Sequence, residues 1–229
     1  MHSWLNHAAL RVVRILPRSF DPVIPADLDR RPKVFGIGFH KTGTSTLGCA
    51  LRMLGYRVQK GCAFNHPRKP QIPEPVTTDK VWDLVRPMLP LYGAFEDNPW
   101  PLLYRELDEA CPGARFIFTY RDPKRWLRSA SRYFANRNNA TLDLLYGQRS
   151  FRIAGNEDVA LARYLRHNEE VLDYFRDRPD DLLIWNLEEE SDWSPLCRFL
   201  DCPTPDQPFP HANVGRHRPV ASPQIARAA

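Results

Sequence analysis

The stretch from Lys33 to Leu47 constrains this chain more than any other. Val34 to Ile37 is a short apolar run that reads as a buried strand. A loop with Gly38, Lys41, Gly43 and several hydroxyls follows. Leu47, Ala50, Leu51 and Leu54 then recur at helical spacing, with Gly55 as the stop. Strand, glycine loop and helix in this order bind a phosphate. The loop's N–H groups converge on one concavity, and the helix N-terminus adds about half a positive charge. Lys41 adds a mobile cation, and Ser45 and Thr46 add hydroxyl donors. The usual nucleoside-triphosphate loop, G-x-x-x-x-G-K-[ST], is not matched. Thr44 stands where its lysine belongs, and Lys41 comes two residues before Gly43.

The 229 residues are expected to form one main domain with a substantial core. We expect an N-terminal arm over 1–32, a domain over 33–219 and a tail over 220–229. A net charge of +5 is modest, and no run of five like charges marks a nucleic-acid tail, so no nucleic-acid partner is expected. The five cysteines are odd in number and lack a C-x-x-C pair. That argues against a disulfide framework or zinc site and for a reducing, cytoplasmic setting. No apolar run approaches the ~20 residues needed to cross a bilayer. The N-terminus mixes Leu10, Val12, Val13, Ile15 and Leu16 with Arg11, Arg14 and Arg18. It lacks the apolar core of a signal peptide and reads as a short amphipathic helix, on its own domain or on a membrane.

Tyr56–Val58 reads as a second strand, and 61–79, with its prolines, as a long loop suited to shaping a substrate pocket. A short helix is expected over 79–89, its end blurred by Pro87. Leu91–Phe95 reads as a strand that ends in Glu96 and Asp97; Asp97 or Asn98 caps a helix opened by Pro99 and running to Ala110. Ala114–Tyr120 is the clearest strand, and Asp122 caps the helix that Pro123 opens. Residues 135–156 are weakly patterned, with a short helix around 142–146. A long helix over 157–176 buries Leu161, Tyr164, Leu165, Val171, Leu172 and Phe175, followed by a strand over 181–185 and a helix over 194–200. Strands alternating with helices predict a parallel sheet flanked by helices on both faces. Ligands bind such sheets at the carboxyl ends of the strands, where the turns after Ile37, Phe95 and Tyr120 lie.

Lys41-Thr42-Gly43-Thr44-Ser45 resembles the 5′-phosphosulfate loop K-[ST]-G-T-[ST] of sulfotransferases. Arg121-Asp122-Pro123, with Ser129 further on, resembles the R-[ND]-P-x-x-x-x-x-S segment whose arginine and serine bind the donor's 3′-phosphate. An arginine fork suits a phosphate monoester better than a lysine point charge. The resemblance covers most of residues 33–215, and is closest to small bacterial sulfotransferase-like P-loop proteins. It implies 3′-phosphoadenosine 5′-phosphosulfate (PAPS) as co-substrate, with Lys41, Thr42, Gly43, Thr44, Ser45 and Thr46 around the 5′-phosphate and Arg121 and Ser129 at the 3′-phosphate. It implies no required metal and a small-molecule or glycan-like acceptor, whose identity and whose loops carry no readable pattern.

Three departures stand out. Thr46 occupies the place of the aromatic that stacks on adenine in animal cytosolic enzymes; Trp185 is either a substitute or a core residue. Gly215-Arg216-His217-Arg218 is either the basic-glycine segment that completes the 3′-phosphate site, through Arg216, or a basic tail. Asp97 falls where those enzymes carry a catalytic histidine, so Asp97 is the expected base, with Lys41 stabilising the leaving oxygen and His40 as a helper or a bystander. Burial, or Glu96 beside it, must then raise the Asp97 pKa. Two other readings stay open: a nucleotide-dependent kinase with Asp97 on magnesium, which the lysine position and the Arg121–Ser129 pair disfavour, and a non-catalytic nucleotide-binding protein of the same fold.

Overall fold

The computed structural model describes residues 31–61, 76–135 and 140–212. The N-terminal amphipathic stretch, most of the proline-rich loop, Cys62 and Arg216 with its neighbours lie outside these residues. Five strands, β1 (Val34–Gly36), β2 (Val58–Lys60), β3 (Ala94–Glu96), β4 (Arg115–Thr119) and β5 (Leu182–Trp185), form one sheet in the order β2-β3-β1-β4-β5. Every pairing is parallel. The sheet is therefore the expected α/β type, and β1, the strand that feeds the glycine loop, is central.

Side chains alternate across the strands and build a core on each face. Val34, Ala94, Ile117 and Trp185 point one way, onto Leu47, Ala50 and Leu51 of α1 (Thr44–Met53) and Leu196 and Cys197. Phe35, Phe95, Phe116 and Phe118 point the other way. There they meet Val81 and Val85 of α2 (Thr78–Val85), Leu107 of α3 (Tyr104–Ala110) and Val171. A third cluster lies beyond the sheet edge. It joins Phe39 to Trp126, Ala130 and Phe134 of α4 (Pro123–Phe134), Leu142 and Leu145 of α5 (Ala140–Tyr146), and Ala160 and Tyr164 of α6 (Glu157–Tyr174). The last helix, α7, spans Ser194–Phe199.

Several boundaries differ from the sequence reading for physical reasons. β2 begins at Val58 because the Tyr56 N–H closes the end of α1 on the Leu51 carbonyl. The helix expected over 79–89 ends at Val85 and continues as a 3₁₀ turn, Arg86–Leu91, because Pro87 and Pro90 lack the N–H an α-helix needs. Pro101 breaks the helix expected from Pro99 in the same way, into a 3₁₀ turn, Trp100–Leu102, and α3; no side chain caps either piece. Asp122 does cap α4, accepting from the Arg125 N–H at 2.9 Å. On α6 the inward stripe is Ala160, Tyr164, His167 and Val171, whereas Leu165 and Leu172, expected in the core, are 39% and 43% exposed.

The glycine loop is seated by an unusually close approach. A Cβ on Gly38 would lie 2.9 Å from the Thr119 carbonyl carbon and nearer still to its two oxygens. Backbone cannot yield there without displacing β4. Gly38→Ala is therefore expected to lower the unfolding free energy by more than ~2 kcal/mol; urea denaturation of both proteins measures it, and an unchanged midpoint would contradict the close packing.

Candidate functional site

The loop after β1 divides its residues by direction. Lys41, Gly43 and Ser45 are partly exposed, while His40, Thr42, Thr44 and Thr46 are buried. The buried hydroxyls hold the loop in place. Thr42 donates to the Phe39 carbonyl at 2.6 Å and meets the Thr119 hydroxyl at 2.8 Å. Thr46 Oγ1 accepts from the Ala212 N–H at 3.2 Å. The Thr46 N–H bonds to the Gly43 carbonyl at 2.9 Å. The hydroxyls of Thr42 and Thr46, expected beside the 5′-phosphate, are thus engaged within the protein. Gly43 has φ 103° and caps α1 with no side-chain hydrogen bond, which leaves the mouth of the helix open to an anion. Ser45 takes a 3.4 Å contact from Lys60 Nζ, a cation that strand pairing sets opposite Glu96.

Lys41 and Asp97 both have positive φ, at 67° and 68°, a conformation that costs non-glycine residues about 1 kcal/mol or more. Lys41 lies in the loop after the central strand, Asp97 directly follows the neighbouring strand β3, and Lys41 acts on Asp97 electrostatically. Lys41 Nζ also lies 4.2 Å from the centroid of the Tyr133 ring on α4. Burial pushes the Asp97 pKa above the ordinary value, opposed by the Asn98 N–H, which donates to Oδ1 at 2.9 Å, and by Lys60 and Lys41. Glu96 beside it, fully buried, is pushed up to about 8 by burial and then by Asp97. The Thr44 hydroxyl lowers the Glu96 value slightly but does not meet hydrogen-bond geometry, so we count the carboxyl as unpartnered. The space it fills is cut for it, since a Cβ on Gly48 would come within 2.8 Å of Oε1.

His40 is 4% exposed and packs among Phe39, Trp126 and Phe134. Burial, helped by Lys41, drops its pKa to about 3, so the imidazole is neutral. Its Nδ1 lies 3.4 Å from Asn98 Nδ2, and its carbonyl accepts from Trp126 Nε1 at 2.9 Å. His40 therefore ties three segments together, with its imidazole packed among aromatic rings.

Arg121 stands at the end of β4, beside the glycine loop. Tyr164 Oη fixes its backbone on both sides, accepting from the N–H at 2.9 Å and donating to the carbonyl at 2.8 Å. Its guanidinium bonds Glu188, in the turn after β5. Ser129 is half-buried on α4, eight residues along. Trp185 lies in the core. It is 1% exposed, packs against Phe209, and its Nε1 donates to the Glu190 carbonyl at 2.8 Å, so neither ring face is open to adenine. Sequence reasoning gave no role to Lys60, Tyr133 or Glu188; all three become visible only when strand order sets the turns side by side. Among the described residues no three His, Cys, Asp or Glu side chains converge as metal ligands, and no helix is long and apolar enough to cross a membrane.

A family model described as a sulfotransferase domain matches residues 33–218. The chain belongs to the sulfotransferase family. It is also similar to the Ava biosynthesis cluster protein M of Aspergillus versicolor, at 28% identity over 222 residues that cover 81% of this chain and 84% of that protein. In this sulfotransferase-family domain the glycine loop, the β3 turn and the β4 turn share one edge of the sheet.

The buried groups beneath that edge have opposite consequences for stability. Glu96 has a native pKa of about 8 against 4.5, so its contribution is full below pH 4.5 and is lost as pH rises through 8. His40 and His167, both lowered to about 3, contribute above pH 6.5 and lose that contribution as pH falls toward 3. Glu96→Gln is expected to remove the alkaline-side loss. Between pH 5 and 8 the parent's unfolding free energy should fall relative to the variant's by up to ~1.4 kcal/mol per pH unit. Parallel urea titrations across that range test this, and equal slopes in the two proteins would refute it.

Proposed function

We propose that this protein transfers a sulfuryl group from PAPS to a hydroxyl or amine of a small-molecule or glycan-like acceptor. The observation that carries the reading is that Lys41 and Asp97, each held at positive φ and close enough for the lysine to act on the carboxylate, lie on the edge where Arg121 also emerges. An uncapped helix mouth and outward-facing Lys41, Gly43 and Ser45 suit the donor's 5′-phosphate. Arg121, with Ser129, suits the 3′-phosphate that distinguishes this donor from ordinary nucleotides. The similarity to a protein named for a biosynthesis cluster is in keeping with a small acceptor.

The reaction asks the protein for positioning and charge rather than covalent chemistry. The acceptor oxygen or nitrogen attacks sulfur in line as the bond from sulfur to the bridging oxygen breaks. Lys41 offsets the negative charge that develops on that oxygen. Asp97 takes the acceptor's proton. A carboxylate at its ordinary pKa is a weak base, and the burial that raises Asp97 makes it a better one at neutral pH. Because Asp97 must be ionised to act, turnover should rise with pH through its elevated pKa.

Calorimetric titration with 3′-phosphoadenosine 5′-phosphate, the desulfated donor, tests the reading. The parent should bind, and Lys41→Ala and Arg121→Ala should each weaken binding about tenfold or more, the scale of a lost charge-assisted hydrogen bond. Asp97→Asn should keep the binding and lower turnover by ~10²–10⁴-fold. A parent that does not bind would remove the donor assignment, and an Asp97→Asn protein with full turnover would remove Asp97 as base.

A further inference from the structure

Arg121 already holds an anion, and that anion belongs to the protein. Glu188 Oε1 accepts from Arg121 Nη2, and Glu188 Oε2 lies 3.3 Å from Arg125 Nε. One carboxylate thus bridges two guanidinium groups, as a phosphate does between two arginines. The bridge leaves a buried donor unsatisfied: Arg121 Nε has no hydrogen-bond partner. Arg125 and Ser129 are four apart on α4 and so share one helix face, and Arg121 immediately precedes the helix cap, Asp122. The Arg121 backbone is pinned by Tyr164, whose ring stacks on Trp126 at 4.2 Å and 4°. The guanidinium can therefore change partners without moving the strand end. On the other side, Leu187 packs against Gly43, so the turn that carries Glu188 sits where the two anion-binding segments meet.

We propose that Arg125 is a second arm of the 3′-phosphate site and that Glu188 is an internal stand-in which the ligand's 3′-phosphate displaces. This rests on the donor reading above and extends it to two residues with no role assigned so far. The exchange has a physical direction. A phosphate monoester carries up to two negative charges near neutral pH and three acceptor oxygens, against one charge and two oxygens on the carboxylate. It can satisfy Arg121 Nε as well as the two groups Glu188 now holds. Glu188 is partly exposed and swings to water at little cost, whereas leaving it beside a bound phosphate would set like charges in contact. Its presence lowers affinity for every ligand with the 3′-phosphate and leaves ligands without one unaffected.

The test titrates the full chain with 3′-phosphoadenosine 5′-phosphate and with adenosine 5′-monophosphate, which lacks the 3′-phosphate. Glu188→Gln should tighten the bisphosphate by about fivefold, the scale of a partly exposed ion pair, and leave the monophosphate within about twofold. Arg125→Gln should weaken the bisphosphate by a similar factor and spare the monophosphate. If the parent prefers the bisphosphate but Glu188→Gln leaves it unchanged or weakens it, Glu188 is not displaced and the proposal is overturned. If the parent does not distinguish the two ligands, the donor reading itself falls, and this proposal with it.

Discussion

The seating of the glycine loop on the end of β4 is the contact on which the candidate site depends. Gly38 lets two backbones approach more closely than any side chain permits, and the Thr42–Thr119 hydroxyl pair fastens the loop a turn later. Trp126 holds the His40 carbonyl from α4, and His167 meets the Ile37 carbonyl at 2.8 Å from α6. These contacts use the inward residues of the loop and leave Lys41, Gly43 and Ser45 facing out. They also explain how Lys41 persists at positive φ. A strained residue survives where its neighbours are over-determined, and the residues on either side of Lys41 are each hydrogen-bonded and buried.

The electrostatics of the edge follow from layering. Glu96, at the end of β3, is sealed beneath α1 and held in its neutral form. Asp97, one residue on, reaches the surface layer, where Lys41 and Lys60 surround it. A neutral carboxyl below adds no repulsion to a charge on Asp97. Burial raises its proton affinity while the lysines restrain the rise. That balance gives a carboxylate more basic than one in water.

The fold was largely legible because its signals are local. Val34–Gly36, Arg115–Thr119 and Leu182–Trp185 are apolar runs bounded by turn residues, and Asp122-Pro123 announces its helix directly. What failed was information that depends on neighbours. Leu165 and Leu172 fit a helical stripe on paper, yet α6 turns His167 inward because the Ile37 carbonyl needs a donor and Phe39 offers a ring at 4.1 Å. Trp185 read as either stacker or core, and its burial follows from facing α1 and α7 across the sheet. In the candidate site, the placement of Lys41, Gly43, Asp97 and Arg121 beyond the ends of strands was legible from residue type and position. The inward turn of the Thr42 and Thr46 hydroxyls was not, because it depends on which way the backbone turns them.

Glu188 shows the same limit from the other side. Nothing in Asn186-Leu187-Glu188-Glu189-Glu190 distinguishes one glutamate from the next. The Asn186 side chain accepts from the Glu188 N–H at 3.1 Å, and Leu187 is buried against Gly43. Those two contacts set the orientation of the turn and put Glu188, rather than Glu189 or Glu190, across Arg121. The same turn therefore touches the glycine loop with one residue and the arginine of the neighbouring strand with the next. Any ligand that reaches both segments must meet it, which makes this turn, outside both recognised motifs, the part of the edge best placed to couple them.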